Sequence, residues 1–168
     1  MSAGVESLVT RSSDESRELG RALGRLLEAG DLVALYGDLG SGKTVLAQGI
    51  SVGLGYDGYA SSPSFIVVNE YAGRVPILHV DLYRIHDPAE IEDLGYRELF
   101  FGDGVAIIEW AERAREFLPD ERLDIRLSID APDTRTMVLD ARGDRHVSVM
   151  NALLKLWRER LQDEDSHD

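Results

Sequence analysis

Leu32-Val33-Ala34-Leu35-Tyr36-Gly37-Asp38-Leu39-Gly40-Ser41-Gly42-Lys43-Thr44 is the stretch on which the fold turns. Its first five residues are apolar without a break, the mark of a strand buried on both faces. The next eight fit the pattern G-x-x-x-x-G-K-[S/T] at every position. Such a loop turns back on itself, so that successive backbone N–H groups point inward at phosphate oxygens. Glycine is needed where the chain takes conformations closed to side chains, or where a Cβ would collide with the ligand. A helix is expected over residues 45–54, with Leu46, Gly49, Ile50 and Leu54 at helical spacing. Its N-terminus adds a partial positive charge to the field at the phosphates. Lys43 supplies a full charge for the β- and γ-phosphates, and the Thr44 hydroxyl is the magnesium ligand that loops of this kind provide. Strand, glycine loop and helix therefore come in the order a phosphate site requires. Gly37, Asp38, Leu39, Gly40, Ser41, Gly42, Lys43 and Thr44 are the expected ATP-binding residues, with Mg2+ beside them. The expected fold is α/β, a P-loop NTPase with a central mixed sheet and helices on both faces.

The rest of the chain supplies that sheet. Residues 5–10 read as a short strand. Ser12 and Ser13 before Asp14 and Glu15 form a helix N-terminus signature, and the helix that follows places Leu19, Ala22, Leu23, Leu26 and Leu27 on one face before Gly30 stops it. Residues 65–71 and 75–81 look like two strands joined by Ala72-Gly73-Arg74, hence a hairpin and a mixed sheet. Pro88 opens a short helix over 89–94. Residues 105–109 form another buried strand, and 123–129 with 136–141 a second hairpin around Pro132-Asp133. The closing helix carries Met150, Leu153, Leu154, Trp157 and Leu161 on one stripe, which makes Trp157 a core residue, and residues 163–168 read as a frayed acidic tail. No repeat or linker divides the chain, so residues 1–168 are expected to form one domain.

Hydrolysis needs more than a phosphate cradle: a metal must be held and a water oriented. In open α/β sheets the ligand sits beyond the carboxyl ends of the strands. Two strands end there in an acid, Ile77-Leu78-His79-Val80-Asp81 and Val105-Ala106-Ile107-Ile108-Glu109. Pattern alone does not say which acid serves the metal and which the water.

Composition narrows the function classes. The 168 residues carry 31 acids against 18 bases, a formal net charge of −13, which argues against direct, tight binding of a nucleic acid. Basic residues are almost all arginine; the only lysines are Lys43 and Lys155. With no cysteine, neither disulfides nor thiolate metal sites are available. No signal peptide or membrane-spanning run is seen, and a cytoplasmic protein is expected. His79, His86, His146 and His167 show no metal-ligand spacing, and His79 within a strand reads as a satisfied structural residue. No Asn-Lys-x-Asp element marks guanine specificity.

Taken together, the loop 37–44, Ser62-Pro63-Ser64-Phe65, His79-Val80-Asp81-Leu82-Tyr83-Arg84 and Glu109-Trp110 resemble the TsaE family, bacterial ATPases of tRNA threonylcarbamoyladenosine modification, over about residues 8 to 130. The resemblance implies that Thr44 and Glu109 hold magnesium and that Asp81 helps position the attacking water. Lys43, Asp81 and Glu109 would thus be the catalytic set. It also implies a switch-like loop at Ser62 and Ser64, where the family commonly has threonine at the second position. The implied partners are TsaD and TsaB, which carry the modification to adenosine 37, so that tRNA is met only through the complex and no membrane is involved. Beyond about Ser128 the match weakens, and Arg135, on a hairpin, reads as a solvated side chain.

The expected activity is slow, partner-gated ATP hydrolysis, since no arginine finger is identifiable in the chain. Two other readings stay open on the residues alone. One is a small-molecule phosphotransferase, for which residues 84–104 are the only sizeable insert. The other is an ATP-dependent binding switch in which hydrolysis is incidental. Tyr83 and Arg84 fit either a partner surface or an orienting role for Asp81.

Overall fold

Strand β2 (Leu32–Tyr36) is buried at all five positions, and the sheet is built outward from it. In the computed structural model, which describes residues 4–58 and 68–167, β2 runs parallel to β5 (Val105–Glu109) on one side and to β6 (Arg122–Ile129) on the other. β4 (Pro76–Asp81) adds in parallel outside β5. Antiparallel strands finish both edges: β3 (Val68–Ala72) pairs with β4, while β7 (Arg135–Arg142) pairs with β6 and β1 (Gly4–Thr10) with β7. The order across the seven strands is β1-β7-β6-β2-β5-β4-β3. The sheet is mixed, as the two hairpins imply.

Because side chains alternate along a strand, each central strand feeds two cores. Val33, Leu35, Ile107 and Ile125 face helices α1 (Ser13–Leu26), α2 (Lys43–Gly53) and α5 (Asp144–Asp165). Leu32, Ala34, Ala106 and Ile108 face α3 (Pro88–Asp93), α4 (Tyr96–Phe100) and a 3-10 helix, Ala111–Phe117. The full apolarity of β2 and β5 is thus explained: helices cover both faces. Trp157 lies in the first core, 2% exposed.

Element ends differ from the sequence reading in places. α1 starts as expected, with the Ser12 hydroxyl accepting from the Glu15 N–H at 3.0 Å, but ends at Leu26 rather than at Gly30, which forms the turn into β2. The tail at 163–168 is not frayed throughout, since α5 continues to Asp165. α4 and the 3-10 helix are too short to leave a periodic signal.

α1 and α2 pack backbone to backbone. Gly20 and Gly24 on the first face Gly49 and Gly53 on the second: a Cβ at Gly24 would lie 2.2 Å from the Ile50 carbonyl oxygen, and one at Gly53 2.3 Å from that of Arg21. This contact seats α2, and with it the loop at its N-terminus. Gly24→Ala should lower Tm by about 5 °C, the effect of overpacking by about 2 kcal/mol. Helix propensity alone would raise stability by up to about 1 kcal/mol, so an unchanged or higher melting temperature would show that the helices part freely.

Candidate functional site

The carboxyl ends of the parallel strands meet on one edge of the sheet, and the loop of residues 37–44 lies there. It leaves β2 at Gly37, whose φ is 149° and whose added Cβ would fall 2.6 Å from Ser41 Oγ and 2.7 Å from the Leu127 carbonyl oxygen. Gly42 caps α2 in the left-handed region at φ 103°, where a side chain would be strained. Helix α2 begins at Lys43 itself, two residues earlier than its apolar spacing suggests. Its first-turn N–H groups and their partial positive charge therefore open directly onto the loop.

Lys43 is almost fully buried, 5% exposed. Its Nζ donates to the carbonyl oxygens of Gly37 at 2.5 Å and Asp38 at 2.9 Å, and lies 4.1 Å from the centre of the Trp110 ring. Burial pushes its pKa below the ordinary lysine value, while the charges of Glu109, Glu112, Asp81 and Asp38 pull the other way. The ammonium is thus kept from water in an acidic surround, ready to pair with a multiply charged anion.

The two strand-end acids are neighbours, since parallel pairing of β4 with β5 sets Asp81 opposite Glu109. Glu109 is buried, and its Oε1 accepts from the Thr44 hydroxyl at 2.8 Å. Asp81 sits nearer the rim, its Oδ1 accepting from the Tyr83 N–H at 2.9 Å. The acids separate by environment, one against the loop threonine and one toward solvent. Ser62 and Ser64 fall outside the described residues.

Hydroxyl and carboxylate oxygens are the donors Mg2+ prefers. Among the described residues no group of three His, Asp or Glu could hold a metal unaided.

Three side chains at the site had no assigned role in the sequence. His79 is fully buried and satisfied, as expected, but its partner is Glu109: Nε2 lies 2.5 Å from Oε2. Its period-two spacing from Asp81 was the available signal, since both must face α2. Trp110 is the only described non-glycine residue with positive φ, 58°, a conformation costing about 1–3 kcal/mol and typical of functional sites. The turn it makes lays its ring over Lys43 and against Tyr83, 5.0 Å between ring centres. Arg135 is not merely solvated. Its Nε donates to the Ser41 carbonyl at 3.1 Å, and its Nη1 to the carbonyls of Ala131, Pro132 and Thr134, tying the β6–β7 turn to the loop of residues 37–44.

The family model for "Threonylcarbamoyl adenosine biosynthesis protein TsaE" matches residues 10–137. The tRNA threonylcarbamoyladenosine biosynthesis protein TsaE of Bacillus subtilis (strain 168) is 38% identical over 138 residues, 82% of this chain and 86% of that protein. The protein of the same name from Haemophilus influenzae is 37% identical over 158 residues, 88% of this chain and 98% of its own. Among solved structures, the crystal structure of Bacillus subtilis YdiB superimposes with a TM-score of 0.80 at 30% identity, covering 92% of this chain and 97% of that one.

Proposed function

Since the chain belongs to the TsaE family, we propose that it serves tRNA threonylcarbamoyladenosine biosynthesis as a magnesium-dependent ATPase acting on a TsaD–TsaB complex, with adenosine 37 modified by those partners. The observation that carries the ATPase reading is the 2.8 Å contact between Thr44 and Glu109 beside the buried ammonium of Lys43. A phosphate loop with no carboxylate on its threonine would bind nucleotide and do little else.

In this reading the loop N–H groups of residues 38–44 and the N-terminus of α2 bind the β- and γ-phosphates, with Lys43 adding its charge. Thr44 and Glu109 would hold Mg2+, which when bound offsets the charge that develops on the phosphates. Asp81, half-buried at the strand end and accepting from the Tyr83 N–H, would orient a water and take its proton. The Trp110 ring lies over the Lys43 ammonium and would lower the dielectric around that charge. The acidic balance of the chain, net charge −13, fits a protein that leaves tRNA contact to its partners. We place this activity in the cytoplasm, where the tRNA modification named by the family would act.

The phosphotransferase reading loses ground on the insert it depends on. The segment between β4 and β5 folds into α3 and α4, and Ile91 and Phe100 are buried in the second core. A lid over an acceptor pocket would need to be free of that core. Product analysis separates the two: free phosphate is expected, and a phosphorylated metabolite would overturn the ATPase assignment.

Two measurements test the proposal. Asp81→Asn should bind ATP within about threefold of the parent affinity yet turn it over about 100-fold more slowly; normal turnover would remove Asp81 from the mechanism. Immobilised protein with ATP and Mg2+ should retain TsaD and TsaB from a bacterial extract. Failure to retain either, with any nucleotide, would refute the partner assignment.

A further inference from the structure

Resting on the magnesium-site reading above, we propose that His79 is a positioning residue: its imidazole fixes the Glu109 carboxylate in the orientation that metal binding uses. The two side chains are 0% and 2% exposed, with Nε2 and Oε2 2.5 Å apart. An ionised carboxylate only accepts, so Nε2 must carry the hydrogen. In the neutral ring Nδ1 is then an acceptor, and the Tyr71 hydroxyl lies 3.3 Å from it, able to donate. The Asn69 side-chain amide donates to the same hydroxyl oxygen at 3.4 Å. These two outer contacts are long, so the short link to Glu109 dominates.

The two carboxylate oxygens of Glu109 have different partners. Oε1 is taken by Thr44 from α2, and Oε2 by His79 from β4. The imidazole occupies the oxygen remote from the loop threonine and leaves the other on the loop side. Strand geometry makes this possible: Ile77, His79 and Asp81 share one face of β4, Val105, Ile107 and Glu109 the same face of β5, and pairing sets His79 opposite Ile107, one pleat behind Glu109. Hydrogen bonds to a metal-ligating carboxylate are the kind of outer-shell support whose loss weakens metal affinity about 10–100-fold.

A plain structural reading of His79, as a satisfied buried polar group, predicts lost stability without any change in metal response. Two polar variants separate the readings. His79→Gln puts an amide about where Nε2 stands and keeps a donor toward Glu109. His79→Asn puts one about where Nδ1 stands and loses that donor. ADP binding is measured by calorimetry in EDTA and across a Mg2+ titration, alongside thermal unfolding. His79→Asn should match the parent protein in EDTA within about twofold and require about tenfold more Mg2+ for half-maximal enhancement of binding. His79→Gln should require clearly less than His79→Asn. Equal Mg2+ midpoints for both variants and the parent, or an equal loss of ADP affinity with and without metal, would overturn the positioning role. Glu109→Gln, run in parallel, keeps the two levels apart. If it shifts the midpoint and His79→Asn does not, only this inference fails; if Glu109→Gln shifts nothing, the magnesium-site reading fails and takes this inference with it.

Discussion

Lys43→Ala is expected to lose at least about 100-fold in affinity for ATP, or about 2.8 kcal/mol. Hydrogen bonds to charged groups contribute about 1.5–3 kcal/mol each, and the ammonium can reach two phosphates. The residue is buried and desolvated, so its charge acts through low dielectric rather than through water. In the free protein it donates to the Gly37 and Asp38 carbonyls, holding the loop's own acceptors inward. Its removal therefore costs twice, in the lost phosphate contacts and in a loop with unpaired carbonyls. Lys43→Arg should not rescue fully, because a compact ammonium sits on the Gly37 and Asp38 carbonyls and the fixed fork of a guanidinium does not reproduce that point of charge. Calorimetry with ATP and Mg2+ checks both variants. Parent-like affinity in Lys43→Ala would remove the phosphate site from the loop.

Glu109→Gln is expected to act differently. Its Oε1 accepts from the threonine that ends the loop motif, so the substitution removes a charge from the proposed metal site and leaves the loop backbone and Lys43 in place. Turnover should fall about 100–1000-fold, the effect of losing one preorganised electrostatic group. ADP affinity in EDTA should stay within about threefold of the parent. Steady-state phosphate release and calorimetry read the two quantities separately. Equal losses in both would mean that Glu109 supports the fold of the loop and has no metal role.

What was legible in the sequence was local. The loop motif, the unbroken apolar runs of β2 and β5 and the acids that end β4 and β5 each lie within a few consecutive residues, and each stands in the structure where the sequence puts it. The hairpins were legible from short links between apolar runs, and so the mixed sheet followed. Relations between distant segments were not. That Asp81 lies beside Glu109 depends on the register of two parallel strands, which no local pattern encodes. Arg135 meets the Ser41 carbonyl across 94 positions of sequence, and only the β6–β7 turn geometry brings it there. The facing glycines of α1 and α2 look unremarkable in either helix alone; their meaning appears when a Cβ is placed against the other backbone. The left-handed turn at Trp110 had no signal either, because the residue that takes it is one that normally avoids it.

In the proposed mechanism the amide loop and Lys43 hold a triphosphate whose metal is shared by Thr44 and Glu109. The most direct test is a crystal structure of the protein with a non-hydrolysable ATP analogue and Mn2+ in place of Mg2+, located by its anomalous signal. The β- and γ-phosphate oxygens are expected within about 3 Å of the loop N–H groups and of Lys43 Nζ, with the metal on Thr44 Oγ1 and the Glu109 carboxylate. A triphosphate lying elsewhere, or a metal bound without Glu109, would contradict it.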